Sequence, residues 1–317
     1  MLTAQNRGGV TVKKLVLLVL LTTAVGTAHA QLIQPRTITN IEDLSRIGAE
    51  MPTNTETYDV YKVGGRYQIY YFQVSSFSTM LDYLGRVLLW SDLQTTQLKG
   101  LGDGVINQLD DYNHDGKLDE KDVLYAVLVI WGARGQAAGV TYDLAHTMKA
   151  FNAYLAAGRT LQVSMSRAER SFLSDLERFG LIKEISGQYE VLKPASIVMV
   201  QPLNFFRDLD PKSVILHELN HAVVFQEPRF RQAVAEIWKT MLPAEQAAIK
   251  ERLGRIGLNV ENFELLTEEF AAYAEEGFTD SVLNSFGELN LIVPSATLTR
   301  LQGAVVQALK TFNAFGQ

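Results

Sequence analysis

Two histidines and a glutamate lie inside a largely apolar run, VILHELNHAVVF, which spans residues 214–225. Burying such polar side chains without partners costs about 2–7 kcal/mol for each group, so the fold has to supply partners for them. Asp210 and Pro211 precede the run and suit the N-cap and the first position of a helix. On that helix His217 and His221 are four residues apart and share one face, from which both imidazoles can reach a single cation. The run therefore predicts a buried, metal-binding helix.

Glu218 lies beside the first histidine, about 100° around the helix, and completes an H-E-x-x-H pattern. From that position its carboxylate can reach water bound to the cation rather than the cation itself. Zinc in catalytic sites takes three protein ligands and leaves a fourth position open. No histidine follows His221, so the third ligand is predicted to be a carboxylate. The best candidates are Glu268 and Glu269 in the helical stretch TEEFAAYA, whose alanines allow close approach to the metal-binding helix.

This pair of motifs resembles the gluzincin metallopeptidases, in which H-E-x-x-H is followed by a glutamate on a later helix, often in an E-x-x-A pattern. The resemblance covers residues 195–280 and implies that Glu268 is the third zinc ligand, since Glu268-Glu269-Phe270-Ala271 fits the pattern. Glu269 stays the alternative, because Glu269-Phe270-Ala271-Ala272 fits the shorter pattern too. Asp280 in the stretch GFTD is a weaker option, similar to the third ligand of the aspzincins.

The resemblance implies an α+β, mainly helical fold with a zincin-like catalytic domain, in which a small sheet with an edge strand accompanies the active-site helix and the glutamate helix. Residues 195–201, ASIVMVQ, are predicted to form the strand along which a substrate peptide lies. The implied function is that of an exported zinc-dependent metalloendopeptidase, which hydrolyses peptide bonds with a zinc-bound water. Glu218 is expected to take the proton of that water and to pass it to the leaving nitrogen.

An acidic loop in the N-terminal half, DYNHDGKLDEKD, spans residues 111–122 and matches an EF-hand calcium loop at every position but the last. Gly116 stands where such loops turn sharply. The last position holds aspartate instead of the usual bidentate glutamate, and in this the loop resembles those of dockerins. No second loop pairs with it, which favours a constitutive structural calcium ion. The predicted calcium ligands are the backbone carbonyl of Lys117 and the side chains of Asp111, Asn113, Asp115, Asp119 and Asp122.

Residues 1–30 have the pattern of a secretory signal peptide. Lys13 and Lys14 precede a short apolar run, and Ala28-His29-Ala30 supplies small residues for cleavage after Ala30. Because the run is shorter than the roughly 20 residues that span a bilayer, the protein is predicted to be secreted or periplasmic, with no membrane span after signal removal. The chain has no cysteine, which excludes disulfides and thiolate metal ligands.

Removal of the signal takes away three basic residues and no acidic one, so the formal net charge changes from −6 to −9. This balance argues against nucleic acid or an anionic membrane as partner and leaves a peptide or protein substrate. A boundary near residue 160 is predicted to divide the mature chain into an N-terminal region, 31–160, and a metallopeptidase domain, 161–317. The N-terminal region is predicted to contain the calcium loop and, in residues 58–72, a β-hairpin that turns at Gly64-Gly65. The alternative function is a calcium-dependent adhesion or assembly protein with a structural or vestigial metal site. The intact Glu218 favours the enzyme, because a structural site does not require it.

Overall fold

The computed structural model describes residues 34–65, 67–91, 138–161, 165–206, 210–255 and 260–276, together with residues 296, 300 and 303. Over the described residues the chain has an α+β fold, in which helices pack against a mixed five-stranded sheet. Three sequence predictions fall outside the described residues: the signal peptide at 1–30, the calcium loop at 111–122 and the possible ligand Asp280.

Strands and helices are numbered here along the described part of the chain. The first half contains β1 (Arg36–Ile38), α1 (Ile41–Ala49), β2 (Tyr58–Val63), β3 (Ile69–Val74), α2 (Phe77–Ser91), β4 (Gly139–Asp143) and α3 (Leu144–Leu161). The second half contains α4 (Arg167–Arg178), β5 (Ile182–Ile185), β6 (Gln188–Val191), β7 (Ser196–Val200), a short 3-10 turn (Leu203–Phe205), α5 (Pro211–Gln226), α6 (Pro228–Lys239), α7 (Pro243–Arg255) and α8 (Phe263–Glu276).

The hairpin predicted around the two adjacent glycines is confirmed. β2 and β3 pair in the antiparallel direction, from Tyr58 opposite Val74 to Val63 opposite Ile69. Gly65 in the connection has a φ of 137°, a backbone conformation that side-chain-bearing residues rarely adopt. Every residue of β3 is buried, so this strand lies inside the sheet and is covered on both faces.

The strand order of the sheet is β1-β2-β3-β7-β4. β7 pairs in the parallel direction with β3 and in the antiparallel direction with β4. The prediction that residues 195–201 supply the substrate-binding edge strand is therefore wrong, since β7 has a strand on each side. Its five residues are all buried, and a continuous apolar run is typical of a strand covered on both faces. The outer strand next to it is β4, which the sequence analysis did not predict.

The sheet combines strands from both sides of residue 160, the predicted domain boundary. β3 and β4 precede this boundary, whereas β7 follows it and pairs with both. A buried ion pair also crosses it, between Nε of Arg86 on α2 and Oε1 of Glu169 on α4, at 2.5 Å. Among the described residues, the two predicted regions thus share one sheet.

Helix α5, which carries the H-E-x-x-H pattern, begins where the sequence predicts. The carboxylate of Asp210 accepts hydrogen bonds from the backbone N–H groups of Lys212 and Ser213, and Pro211 occupies the first helical position. The helix packs against β4 and β7 of the sheet and against α1, α6 and α8. Its apolar residues are buried on nearly every face, and each large side chain removed from water in this way contributes about 1.5–3 kcal/mol. This burial fixes the helix, and with it the histidines, inside the protein.

Helices α6, α7 and α8 follow α5. Pro243 separates α6 from α7, as expected for a proline that cannot continue a helix. Helix α8 begins at Phe263, earlier than the predicted start at Thr267. Among the described residues, none of the helices combines the length and the apolar character needed to cross a membrane.

Candidate metal centre

His217 and His221 meet on one face of α5, as their spacing predicts. Their Nε2 atoms are 3.2 Å apart, and the two residues are 8% and 7% exposed. A neutral imidazole has one N–H group and one nitrogen lone pair. Two ring nitrogens at this distance are therefore stabilised either by a proton between them or by a cation that both of them bind.

Helix α8 brings a carboxylate to this histidine pair. Oε2 of Glu269 is 3.9 Å from Nε2 of His221. One ligand atom from each of His217, His221 and Glu269 lies within 4.8 Å of the other two. Ala271 and Ala272 on α8 are fully buried, and their small side chains allow α8 to pack closely against α5. We call these three residues, His217, His221 and Glu269, the metal-binding triad.

Glu268, which the sequence analysis favoured as third ligand, is not part of the metal-binding triad. Its side chain is buried, with 9% of the residue exposed. Successive residues on a helix point in directions about 100° apart, so the two neighbouring glutamates cannot face the same point. The structure therefore favours Glu269, the alternative, as the residue that joins the histidines.

The metal-binding triad has the composition and spacing that zinc requires. Two nitrogens that bind one tetrahedral zinc ion at about 2.0–2.1 Å are separated by about 3.3 Å, and the two Nε2 atoms are 3.2 Å apart. The carboxylate of Glu269 is more distant, with Oε2 3.9 Å from Nε2 of His221. Two imidazoles with one carboxylate are also a ligand set found in catalytic zinc sites. The residues present thus fit a zinc ion.

The buried surroundings keep the imidazole of His221 in the form that binds metal. Burial lowers the pKa of His221 well below its ordinary value, and the neighbouring His217 acts in the same direction. The ring of His221 is therefore neutral near pH 7, with a lone pair available for a cation. Its contact with Glu269 is accordingly not an ion pair between two charged side chains.

Glu218 contacts strand β4 beside the metal-binding triad. It is 5% exposed, and the hydroxyl of Thr141 on β4 donates a hydrogen bond of 2.6 Å to its Oε2. A Cβ atom added to Gly139 would lie 2.8 Å from its Oε1. The carboxylate therefore packs directly on the backbone of β4, where a larger residue than glycine would displace it.

The sequence analysis missed these two residues of β4, Gly139 and Thr141. The stretch GVTYD combines β-branched and aromatic residues after a glycine, which is a strand signal. Its last residues, Tyr142 and Asp143, directly precede the helix α3, which begins at Leu144. The predicted calcium ligands between Asp111 and Asp122 lie outside the described residues, so the calcium site stays a prediction.

No protein-family model matches this chain, and searches of the curated proteins and of the solved structures find no match either. The resemblance to gluzincins accordingly depends on the two sequence motifs. The geometry alone defines the kind of site. Two histidines and one carboxylate form a centre that could bind a metal, and strand β4 holds a further glutamate, Glu218, beside it.

Proposed function

We propose that the protein is an exported zinc-dependent metallopeptidase that hydrolyses peptide bonds. The observation that carries this proposal is the convergence of three ligand atoms, from two separate helices, within 4.8 Å of one another. A second observation supports catalysis over a structural ion: Glu218 is buried next to this centre without being one of the three. Structural zinc sites fill all four positions with protein ligands, whereas three protein ligands leave the fourth position open for water.

The residues divide the chemistry between them. His217, His221 and Glu269 would hold the zinc ion, which would supply Lewis-acid chemistry for a carbonyl oxygen and for water near neutral pH. Glu218 accepts the proton of the attacking water and gives it to the leaving amine nitrogen, so one carboxylate serves as base and then as acid. Its burial keeps bulk water from competing for that proton.

Strand β4, the outer strand of the sheet among the described residues, brings its outer edge to a position beside Glu218. Gln201 N–H donates to the Ala138 carbonyl at 3.1 Å, and Leu144 N–H donates to the Ala195 carbonyl at 2.9 Å. Alternate residues of an antiparallel strand direct both backbone groups to the same neighbour. Val140 and Tyr142 therefore face β7, while Gly139 and Thr141 direct their N–H and C=O groups away from it.

Within the described residues, β4 has no strand partner on that outer side. An extended peptide can add to such an edge through main-chain hydrogen bonds. A peptide bound there would lie against the two residues that contact the Glu218 carboxylate, Gly139 and Thr141. The scissile bond of a peptide substrate would thus be brought close to the proton acceptor.

The test compares the mature protein with the Glu218→Gln variant after loading with zinc. Zinc content is measured by atomic emission, and cleavage of a mixed peptide library is followed by mass spectrometry. We expect about one zinc per chain in both proteins and a loss of cleavage of about 10²–10⁴-fold in Glu218→Gln, the usual contribution of a general base. Glu236→Gln is the matched control, because that glutamate is exposed and pairs with Lys239.

Two results would contradict the proposal. Equal cleavage by wild type and Glu218→Gln would show that Glu218 is not the proton acceptor. Absence of cleavage by the zinc-loaded wild type over the whole library would favour the other class of function, a calcium-dependent adhesion or assembly protein.

A further inference from the structure

Strand β4 contacts both oxygens of the Glu218 carboxylate. The Thr141 hydroxyl donates to Oε2 at 2.6 Å, and Thr141 itself is 8% exposed. On the other side, a Cβ atom at Gly139 would lie 2.8 Å from Oε1 and 3.0 Å from both Cδ and Cγ. The Glu218 carboxylate thus lies between the Thr141 hydroxyl, which donates a hydrogen bond to it, and the backbone at Gly139, which has no side chain.

We propose that Thr141 is a positioning residue for Glu218, and that Gly139 is required because the carboxylate occupies the space of its missing side chain. This inference rests on the proposed peptidase function, since it assigns to β4 the orientation of the general base. Neither residue belongs to the H-E-x-x-H pattern or to the helix that carries the third ligand.

The chemistry of a hydroxyl explains why threonine suits this position. A hydroxyl has a single proton, which Thr141 gives to Oε2, while Oε1 is the oxygen turned towards Gly139. Threonine is β-branched, so its side-chain torsion is restricted and the donor is held in place. Its backbone is fixed in turn, because Thr141 lies opposite Val198 of β7 in the sheet. A long, flexible glutamate side chain is thereby limited to one orientation.

Thr141 also connects the expected peptide-binding edge of β4 with the general base, Glu218. Thr141 directs its backbone groups to the outer edge of β4 and its side chain to Glu218. A peptide that adds to this edge therefore contacts the same residue that orients the carboxylate. We expect the register of the peptide on β4 to determine which of its bonds lies next to Glu218.

A purely structural role is the competing explanation. The Thr141 hydroxyl is also 3.1 Å from the backbone carbonyl of Glu218, so it could simply fasten β4 to α5. Thr147 is the matched control: it is fully buried, and its hydroxyl donates to the carbonyl of Asp143 at 2.9 Å. Replacing either threonine by valine removes one buried hydroxyl and preserves the β-branched shape.

The first experiment measures kcat and KM of the zinc-loaded variants on a peptide that the wild type cleaves. We expect Thr141→Val to lower kcat by about 10–100-fold, as for other groups that orient a metal site, with KM and zinc content nearly unchanged. Thr141→Ser, which keeps the hydroxyl, should restore most of kcat, and Thr147→Val should leave kcat at the wild-type value. Equal kcat losses in Thr141→Val and Thr147→Val, or no rescue by serine, would overturn the proposal.

Gly139→Ala provides a second variant that leaves the hydroxyl in place. The three atoms nearest to the new methyl group all belong to the flexible side chain of Glu218, and none belongs to the backbone, so the fold should be kept. We expect a lower kcat with unchanged thermal stability and zinc content. A wild-type kcat in Gly139→Ala would contradict the claim that the carboxylate needs this space.

Crystal structures of zinc-loaded wild type, Thr141→Val and Gly139→Ala test the same inference without any assay of activity. We expect the Glu218 carboxylate to leave its wild-type position in both variants, while the triad atoms stay in place. An unmoved carboxylate overturns the positioning role. If the wild type cleaves no peptide, the proposed function fails, and these structures still decide whether β4 positions Glu218.

Discussion

Replacing Glu269 by glutamine should weaken zinc binding strongly, because it removes the negative charge of the metal-binding triad at almost constant side-chain size. The carboxylate lies 3.9 Å from Nε2 of His221. His221 is neutral, so the charge that the carboxylate meets in the loaded site is that of the cation; two unit charges even about 4 Å apart interact by about 4 kcal/mol at an effective dielectric constant of about 20. The amide oxygen of glutamine can still bind a cation and recovers part of this energy. We therefore expect zinc affinity to fall by about 10²–10³-fold, which corresponds to about 3–4 kcal/mol.

Glu268→Gln is the matched control for this prediction. It changes the adjacent residue on the same helix, and the side chain is also buried, but Glu268 is outside the metal-binding triad. Zinc affinity is measured near neutral pH by competition with a coloured chelator, for both variants and the wild type. We expect the zinc affinity of the Glu268→Gln protein to fall by less than about tenfold. Tenfold is the lower end of the effect seen when a group that only supports a metal ligand is removed. A larger loss in Glu268→Gln than in Glu269→Gln would refute the assignment of Glu269 as third ligand.

Three further predictions concern the stability of the fold. Gly85→Ala adds a Cβ atom 3.7 Å from Cβ of Leu81 within α2, which is an ordinary van der Waals distance. The substitution should raise the free energy of unfolding by about 0.5–1 kcal/mol in urea denaturation. A lower free energy of unfolding would show that the space beside Gly85 is too small for a methyl group. Arg86→Met leaves the buried carboxylate of Glu169 without its ion pair and should lower that free energy by about 3–5 kcal/mol, whereas an unchanged melting temperature would contradict the role of the pair. Burial lowers the pKa of His146 and His221 in the folded protein. Below about pH 6.5 the unfolded chain therefore binds more protons than the folded protein. The free energy of unfolding of the metal-free protein should fall as the pH decreases from about 7 to 5. Equal stability at both pH values would count against neutral, buried imidazoles.

The sequence predicted the parts of the site that depend on local geometry. The start of α5 at Asp210 and Pro211 and the shared face of the two histidines follow from helix capping and helix periodicity. The hairpin of β2 and β3 follows from two glycines between runs of β-branched and aromatic residues. Interactions within a few residues determine each of these features, so a single sequence contains the necessary information.

The parts that the sequence did not predict depend on contacts between distant segments. Residues 195–201 were correctly predicted as a strand, but their place inside the sheet depends on pairing with both β3 and β4. The choice between Glu268 and Glu269 depends on the rotation of α8 against α5, because both glutamates fit an E-x-x-A pattern. Thr141 and Gly139 become neighbours of Glu218 only when β4 joins the sheet. The continuous apolar sequence of β7 was the one local signal that pointed to an interior strand.

The most direct test of the central claim is anomalous X-ray scattering at the zinc edge, from crystals of the mature protein loaded with zinc. The account predicts one strong zinc peak bonded to Nε2 of His217, Nε2 of His221 and a carboxylate oxygen of Glu269, with Glu218 nearby but not bonded to the metal. A zinc peak held by other residues, or no peak between these three side chains at full zinc loading, would contradict it.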